Sequence, residues 1–399
     1  MLDVLLVEDD DDVRECIASA LEEAGHYVVQ ASDGGRAATL LASRTFDLAI
    51  CDVNLPSLGG LTLARRARAI APGTAIVVMS GEGSVTNVVA AMRDGALDYV
   101  QKPFDPQEFV GRVIEPIAER RALRKRFEAA RHEWVDLAVG LRVVAVSPPM
   151  RALTERLKAL AQSDSAVLLH GEHGSGRKTL ARLIHEESPR RHGPYVVVPC
   201  VSVLEKAGPA GTGPQPGDGW FWQAKGGTLV LDGVDRVGPQ AHAHLAALLS
   251  EVDARARRDP DWSPRGVRVV ATAETDLVGA LEAGQISQSL FFRFSAASLF
   301  VPPLRERHED LLPLIAGVLC SLAPRWAAPP PIEPSAYLAL QAYGFPGNVT
   351  ELTWALEHAL LMADTAPIER RHLPARVRGE SDSGSGLGSE SETMDGLPM

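Results

Sequence analysis

Short apolar runs and longer stretches of helical period alternate through the first part of the chain. Between residues 1 and 104 the runs are VLLVE, FDLAICD, AIVVMSG and LDYVQKP, and a typical intervening stretch is VRECIASALEEAG. Runs of that length read as buried strands, and the periodic stretches read as helices that cover them. Such alternation predicts an α/β domain whose parallel sheet carries helices on both faces. Residues 105–139 continue in a charged helical pattern. Leu123, Phe127, Ala130, Trp134 and Leu137 follow 4,3,4,3 spacing, an apolar seam that either packs on its own domain or pairs with a second copy as a coil. Beside it Arg120, Arg121, Arg124, Lys125 and Arg126 form a basic cluster. A solvated helix face accounts for that cluster, and nucleic-acid contact is the weaker alternative.

A second αβ block runs from 141 to 373, with strand candidates AVLLHGE, YVVVPC, GTLVLDG and VRVVATA, and turns helical from Pro302 as in a smaller appended lid. After Arg378 come five acids, no base, and mostly Gly and Ser. That composition cannot bury enough apolar surface to order itself, so a disordered acidic tail is expected. The predicted divisions are 1–120, a helical linker 121–140, 141–301, a lid 302–375, and a tail 376–399.

Length and composition sharpen this picture. The 399 residues suggest two to three domains, and 45% hydrophobic with 23% charged residues is the balance of soluble globular protein. No apolar run approaches the ~20 residues needed to span a bilayer. The opening MLDVLLVEDDDD has neither a basic start nor a cleavage site, so a cytoplasmic protein is expected. Cys16, Cys51, Cys200 and Cys320 lack CxxC spacing and are expected to be reduced and buried. A net charge of −11 argues against broad affinity for nucleic acid and points to protein partners.

The ends of the predicted strands carry the first candidate chemistry: Glu8 with Asp9, then Asp52, then Ser80, then Lys102. In a doubly wound sheet such ends converge on one crevice. Three crowded carboxylates repel one another unless a hard divalent cation is held there, and Mg2+ suits such a set. An Asp beside that ion is placed to attack phosphorus. The block as a whole resembles the receiver domain of two-component response regulators, through VEDD, CDVNLP around Asp52, VMSG with Ser80 and DYVQKPF with Lys102. The resemblance implies a doubly wound five-stranded parallel sheet, a sensor histidine kinase as phosphodonor, Asp52 as phosphoacceptor, and Glu8, Asp9 and Asp52 as Mg2+ ligands. It further implies that Lys102 and Ser80 hold the phosphoryl group and that Ser80 and Tyr99 relay the switch. Gly59-Gly60 stands where the family often has Asp-Gly.

The second candidate is GEHGSGRKT at 171–179, between a strand and a helix. Gly171, Gly174 and Gly176 suit a backbone cradle for phosphates at a helix N-terminus. The lysine such loops use is Arg177, whose planar fork is a poor substitute for a compact ammonium. Lys178 and Thr179 lie one residue too far along to restore the pair. This block resembles the AAA+ domain of NtrC-like, sigma-54-dependent activators over residues 141–374, through SPPMRAL, GEHGSGRKTLARLIH, GGTLVLD, VPPLRERHEDL and FPGNVTEL. The resemblance implies a P-loop α/β domain with a helical lid, and Asp232 placed to hold Mg2+ through water. It also marks departures: Gly233 for the water-orienting Glu, Ala273 and Glu274 for Thr and Asn, Thr350 for the nucleotide-sensing Arg, and Ser287 for one of two arginines lent to a neighbouring subunit. Arg293 keeps the other. Glu274 is expected to bring negative charge toward a terminal phosphate. Loss of a general base costs about 10²–10⁴-fold and loss of an arginine finger about 10³–10⁵-fold.

The GAFTGA loop of the family is replaced by GPAGTGPQPGDGWFWQAK, a flexible Gly/Pro connection followed by Trp220, Phe221 and Trp222, which are expected to pack under the sheet. No helix-turn-helix pattern follows the lid, so direct sequence-specific DNA binding is not expected. The sequence therefore reads as a response regulator with a degenerate AAA+ domain that acts by association, as a homodimer, a higher oligomer or with an intact relative. Nucleotide binding and its absence both stay open. An ATP-hydrolysing sigma-54-dependent regulator without its own DNA contact is the competing reading.

Overall fold

The computed structural model describes residues 1–81, 91–92, 95–130, 135–136, 142–201, 219–238, 241–243, 245–247, 249–250, 254, 266–284, 286–322, 330–364 and 366–380. The chain divides into two compact units, Met1–Leu123 and Arg124–Met399.

In the first unit β1 (Asp3–Val7), β2 (Tyr27–Ala31), β3 (Leu48–Asp52), β4 (Ala75–Ser80) and β5 (Asp98–Gln101) form a parallel sheet in the order β2-β1-β3-β4-β5. β3 is buried along its whole length, which is why it reads as a continuous apolar run. Successive side chains face opposite layers. Leu6 and Ile50 pack with Ile17, Leu21, Val113 and Ile114 on one face. Leu5, Val7 and Ala49 pack with Ala37, Leu41, Leu63 and Ala64 on the other. Asp10 caps the helix Asp11–Glu23 by accepting from Asp12 N and Val13 N. The run EDDDD thus divides its labour: Glu8 and Asp9 remain at the strand end, while Asp11 and Asp12 sit in the first helical turn, where the dipole favours them.

In the second unit a short antiparallel pair, β6 (Val135–Asp136) and β7 (Arg142–Val143), accompanies a second parallel sheet. That sheet comprises β8 (Val167–His170), β9 (Tyr195–Pro199), β10 (Thr228–Asp232), β11 (Arg268–Ala273) and β12 (Ser298–Phe300), in the order β12-β8-β11-β10-β9. The chain runs from β8 to the far edge, works back, and crosses to the other side of β8. The loop after β8 therefore lies at a switch point, where α/β sheets bind ligands. Helices Pro148–Ala161 and Arg177–Glu186 cover one face through Leu153, Leu157, Leu180 and Ile184. Fully buried Arg268 donates to Ala161 O and Leu160 O, both at 2.7 Å, and so ties off the end of the first helix; burial lowers its pKa to about 10. The lid contributes helices Leu311–Leu322, Pro334–Ala342 and Asn348–Ala363.

Several expectations change. Residues 376–378 belong to a short helix, Ala375–Arg378, rather than to a tail, and the rest of the tail from 381 lies outside the described residues. Cys16 is exposed and Cys320 half-buried, whereas Cys51 and Cys200 are buried and their thiols pushed up to about 12 by that burial. Of the seam, Leu123, Phe127 and Ala130 are buried within the single chain, while Trp134 and Leu137 fall outside the described residues. Trp220 packs against the core but Trp222 is exposed; the Gly/Pro interval at 202–218 is not among the described residues. Among those residues no helix is long and apolar enough to cross a membrane.

Candidate functional sites

In the first unit, Glu8 follows β1, Asp52 closes β3, Ser80 closes β4 and Lys102 follows β5, so four strand ends deliver their side chains to one crevice. One carboxylate oxygen from each of Glu8, Asp9 and Asp52 lies within 4.8 Å of the others. Glu8 and Asp52 are buried and Asp9 is exposed. Lys102 Nζ donates to Glu8 Oε2 at 2.5 Å and forms a second ion pair with Asp52. Lys102 N donates to Ser80 O at 2.8 Å, which fixes the lysine beside the buried serine. Asp52 Oδ1 accepts from Asn54 N at 2.9 Å. A Cβ on Gly60 would stand 1.9 Å from Asp52 O, so glycine lets the helix Gly60–Ile70 begin against β3. Tyr99 sits half-buried on β5, paired in register with Val78.

Burial raises the pKa of Glu8 despite its bond to Lys102. Burial also opposes the charge on Lys102, but hydrogen bonds to Asp52 and Glu8 outweigh it and raise its pKa. One ammonium leaves three carboxylates with uncompensated negative charge, and their hard oxygens at this spacing suit a divalent ion such as Mg2+.

In the second unit the loop after β8 places Gly171, Gly174 and Gly176 at positive φ and opens into the helix Arg177–Glu186. The lid lies directly on this loop. A Cβ on Gly174 would meet Gly347 O at 2.2 Å, and Val349 N donates to Gly174 O at 3.1 Å. Asn348 is fully buried at φ +52; its Nδ2 donates to His173 O at 2.8 Å and its Oδ1 accepts from Leu304 N at 2.7 Å. Arg307 donates to Ser175 O at 2.8 Å, and Arg305 pairs with Glu172. Buried Asp310 accepts from Val146 N, Ser147 N and Ser147 Oγ at 2.7, 2.8 and 2.9 Å. The runs that carry the AAA+ resemblance thus form one hydrogen-bonded frame around the loop. Asn348, Arg307 and Asp310 lie inside those runs but were not singled out as site residues.

Between loop and lid helix opens a cavity of about 290 Å3, lined among others by Gly174, Gly176, Arg177, Lys178, Asp232 and Thr350. This is near the lower end of the ~300–1,000 Å3 usual for ligand pockets. Lys178 Nζ pairs with Asp232 Oδ2 at 2.7 Å, and Thr272 Oγ1 donates to Oδ1 at 2.8 Å. Burial would raise the pKa of Asp232, but these two partners outweigh it and leave it lowered.

Arg177 donates to Ala273 O and pairs with Glu274 at 3.3 Å, and Arg236 pairs with the same carboxylate. Glu274 therefore does not add the uncompensated negative charge expected of it, because Arg236 reaches it from the turn after β10. Burial alone would raise its pKa, and the two guanidiniums hold it below the ordinary value. Asp235 is not among the residues lining the cavity and accepts from Glu274 N, Thr275 N and Thr275 Oγ1. Gly233 takes φ +75 and donates from its backbone to Thr272 O at 3.1 Å. Ser287 and Arg293 do not line the cavity: Ser287 precedes the helix Gln288–Phe294 that carries Arg293.

Fold and sites together define a two-module signalling protein: an acidic crevice of phosphoacceptor type, and a phosphate loop clasped by a helical lid. Comparison with known families bears this out. The response regulator receiver domain matches residues 4–114, the sigma-54 interaction domain residues 143–300, and the AAA+ ATPase lid domain residues 305–389. Response regulator protein PilR of Pseudomonas aeruginosa is 33% identical over 403 residues, covering 98% of this chain and 88% of that protein. Transcriptional regulatory protein ZraR of Klebsiella oxytoca is 30% identical over 391 residues, covering 95% and 86%. Among solved structures, NtrX from Brucella abortus in complex with ATP matches at TM-score 0.51 and 26% identity, covering 98% of this chain and 88% of that one. The chain belongs to the NtrC-like family of two-component response regulators with a sigma-54 interaction domain.

Proposed function

We propose that phosphorylation of Asp52 governs protein–protein association through a sigma-54-interaction domain that does not turn over ATP, and that this association, rather than DNA contact of its own, is the output. In the receiver crevice Asp52 is the nucleophile: as its oxygen bonds to phosphorus, the P–N bond to the kinase's phosphohistidine breaks and the imidazole departs. Glu8, Asp9 and Asp52 would hold Mg2+, which would neutralise charge shared by acceptor and phosphoryl group. Lys102 and Ser80 receive the phosphoryl oxygens, and Tyr99 reads the change. The burial of Glu8 and Asp52 and their common partner Lys102 support these roles.

One observation carries the reading of the second domain. Among the described residues lining its cavity, Asp232 alone bears a carboxylate, and it is held by Lys178 and Thr272 and followed by Gly233. The carboxylate is thus engaged through both oxygens, and His173, which also lines the cavity, is turned with its Nδ1 3.2 Å from Glu274 Oε1. The net charge of −11 supports association with proteins over nucleic acid. The partners this reading implies are a sensor histidine kinase and an intact NtrC-like relative, met through the Arg293 and lid surfaces. Co-purification tests it: phosphorylated chain should retain a relative that Asp52→Asn chain does not, and equal retention by both would refute it.

A further inference from the structure

We propose that the phosphate-loop cavity takes a nucleoside phosphate without a divalent cation, the Lys178 ammonium standing where a metal ion would. The inference rests on reading this cavity as a nucleotide site that does not hydrolyse. In loops of the form GxxxxGK[ST], the hydroxyl that follows the lysine is the protein's ligand to the metal, and the acidic residue ending the neighbouring strand helps to hold that metal. Counting from Gly171, the hydroxyl position is Lys178.

The structure shows what that exchange does. Lys178 Nζ lies 2.7 Å from Asp232 Oδ2, while Thr272 occupies Oδ1, so both carboxylate oxygens are engaged. A divalent ion at Asp232 would have to displace a cation tethered to the same helix, or sit beside it against like-charge repulsion. Arg177 offers no ligand in its place, since a guanidinium has no lone pair to give, and it is turned onto Ala273 O and Glu274. The residues present therefore do not fit a metal-dependent site.

They do fit phosphate. The Lys178 side chain is 65% exposed and lines the cavity, and an ammonium has three donors, of which Asp232 takes one. The N-terminus of the helix Arg177–Glu186 and the glycine backbone open onto the same space.

The test is the affinity of the full-length chain for fluorescent mant-ATP, with saturating Mg2+ and with EDTA, in a Glu8→Gln background so that the receiver crevice does not carry the metal response. The two affinities should agree within about two-fold, and Lys178→Thr should make binding at least about ten-fold tighter with Mg2+ than without. Binding by the parent at least about ten-fold tighter in Mg2+, or no binding in either condition, would overturn the proposal. Phosphate release in the same samples separates the two readings. Metal-independent binding with turnover would sink the non-hydrolysing domain and leave this inference standing; strictly Mg2+-dependent binding without turnover would do the reverse.

Discussion

Replacing Asn348 tests whether the lid truly clasps the phosphate loop. Its amide joins three strands of argument: Oδ1 accepts from buried Leu304 N, Nδ2 donates to His173 O in the loop, and the residue holds φ +52. Asn348→Ala strands the buried Leu304 N–H at about 1–3 kcal/mol, while the carbonyl of exposed His173 can turn to water. Alanine in the left-handed region adds about 1 kcal/mol. A destabilisation of about 2–4 kcal/mol is therefore expected. Asn348→Gly loses the same hydrogen bonds without the strain and should be less damaging by about 1 kcal/mol. The assay is unusually clean, because all six tryptophans (Trp134, Trp220, Trp222, Trp262, Trp326 and Trp354) belong to the second unit. Urea unfolding followed by tryptophan fluorescence thus reports that unit alone, while phosphorylation of Asp52 reports the first and should be unaltered. A shift below about 1 kcal/mol for Asn348→Ala, or a greater loss for glycine than for alanine, would refute the reasoning.

Three further outcomes are expected. A histidine-kinase phosphodonor should label the chain, Asp52→Asn should abolish the label, and full labelling of that variant would defeat the assignment. Gly174→Ala forces a Cβ to within 2.2 Å of Gly347 O at φ +73, so hydrogen exchange should quicken in both the loop and the start of the lid helix Asn348–Ala363; change confined to the loop would argue against the clasp. The Lys178–Asp232 pair contributes fully above pH 3.8, the ordinary value for the carboxyl, and is lost as pH falls through the lowered folded value. The stability gap between parent and Lys178→Met, under about 1 kcal/mol for so exposed a lysine, should close in acid, and a gap that widens would contradict the pairing.

Much of this was legible in the order of residues. Parallel sheets buried on both faces write themselves as short apolar runs, and Glu8, Asp52, Ser80 and Lys102 fall at strand ends, where any doubly wound sheet gathers them. The loop glycines were legible for a similar reason, since their spacing answers to backbone geometry. What stayed hidden depends on partners distant in sequence. Glu274 reads as a lone added negative charge until Arg236 and Arg177 are seen upon it. Lys178 reads as a misplaced loop lysine until Asp232 is found opposite. Cys16 reads as one more small apolar residue, because one turn of a surface helix does not announce which side faces water. Asn348, Arg307 and Asp310 bind loop, lid and the start of the helix Pro148–Ala161 together, so the runs that carry the AAA+ resemblance are in good part framing residues.

The most direct test of the account is steady release of inorganic phosphate from ATP and Mg2+ by the full-length chain, with Asp52 phosphorylated and unphosphorylated. Among the described residues lining the cavity no carboxylate is free to act on water, so release should stay at the level of buffer in both states, and Gly233→Glu alone should not restore it while Lys178 holds Asp232. Rapid release that disappears in the Asp232→Ala chain would contradict the claim and return the domain to the working ATPases.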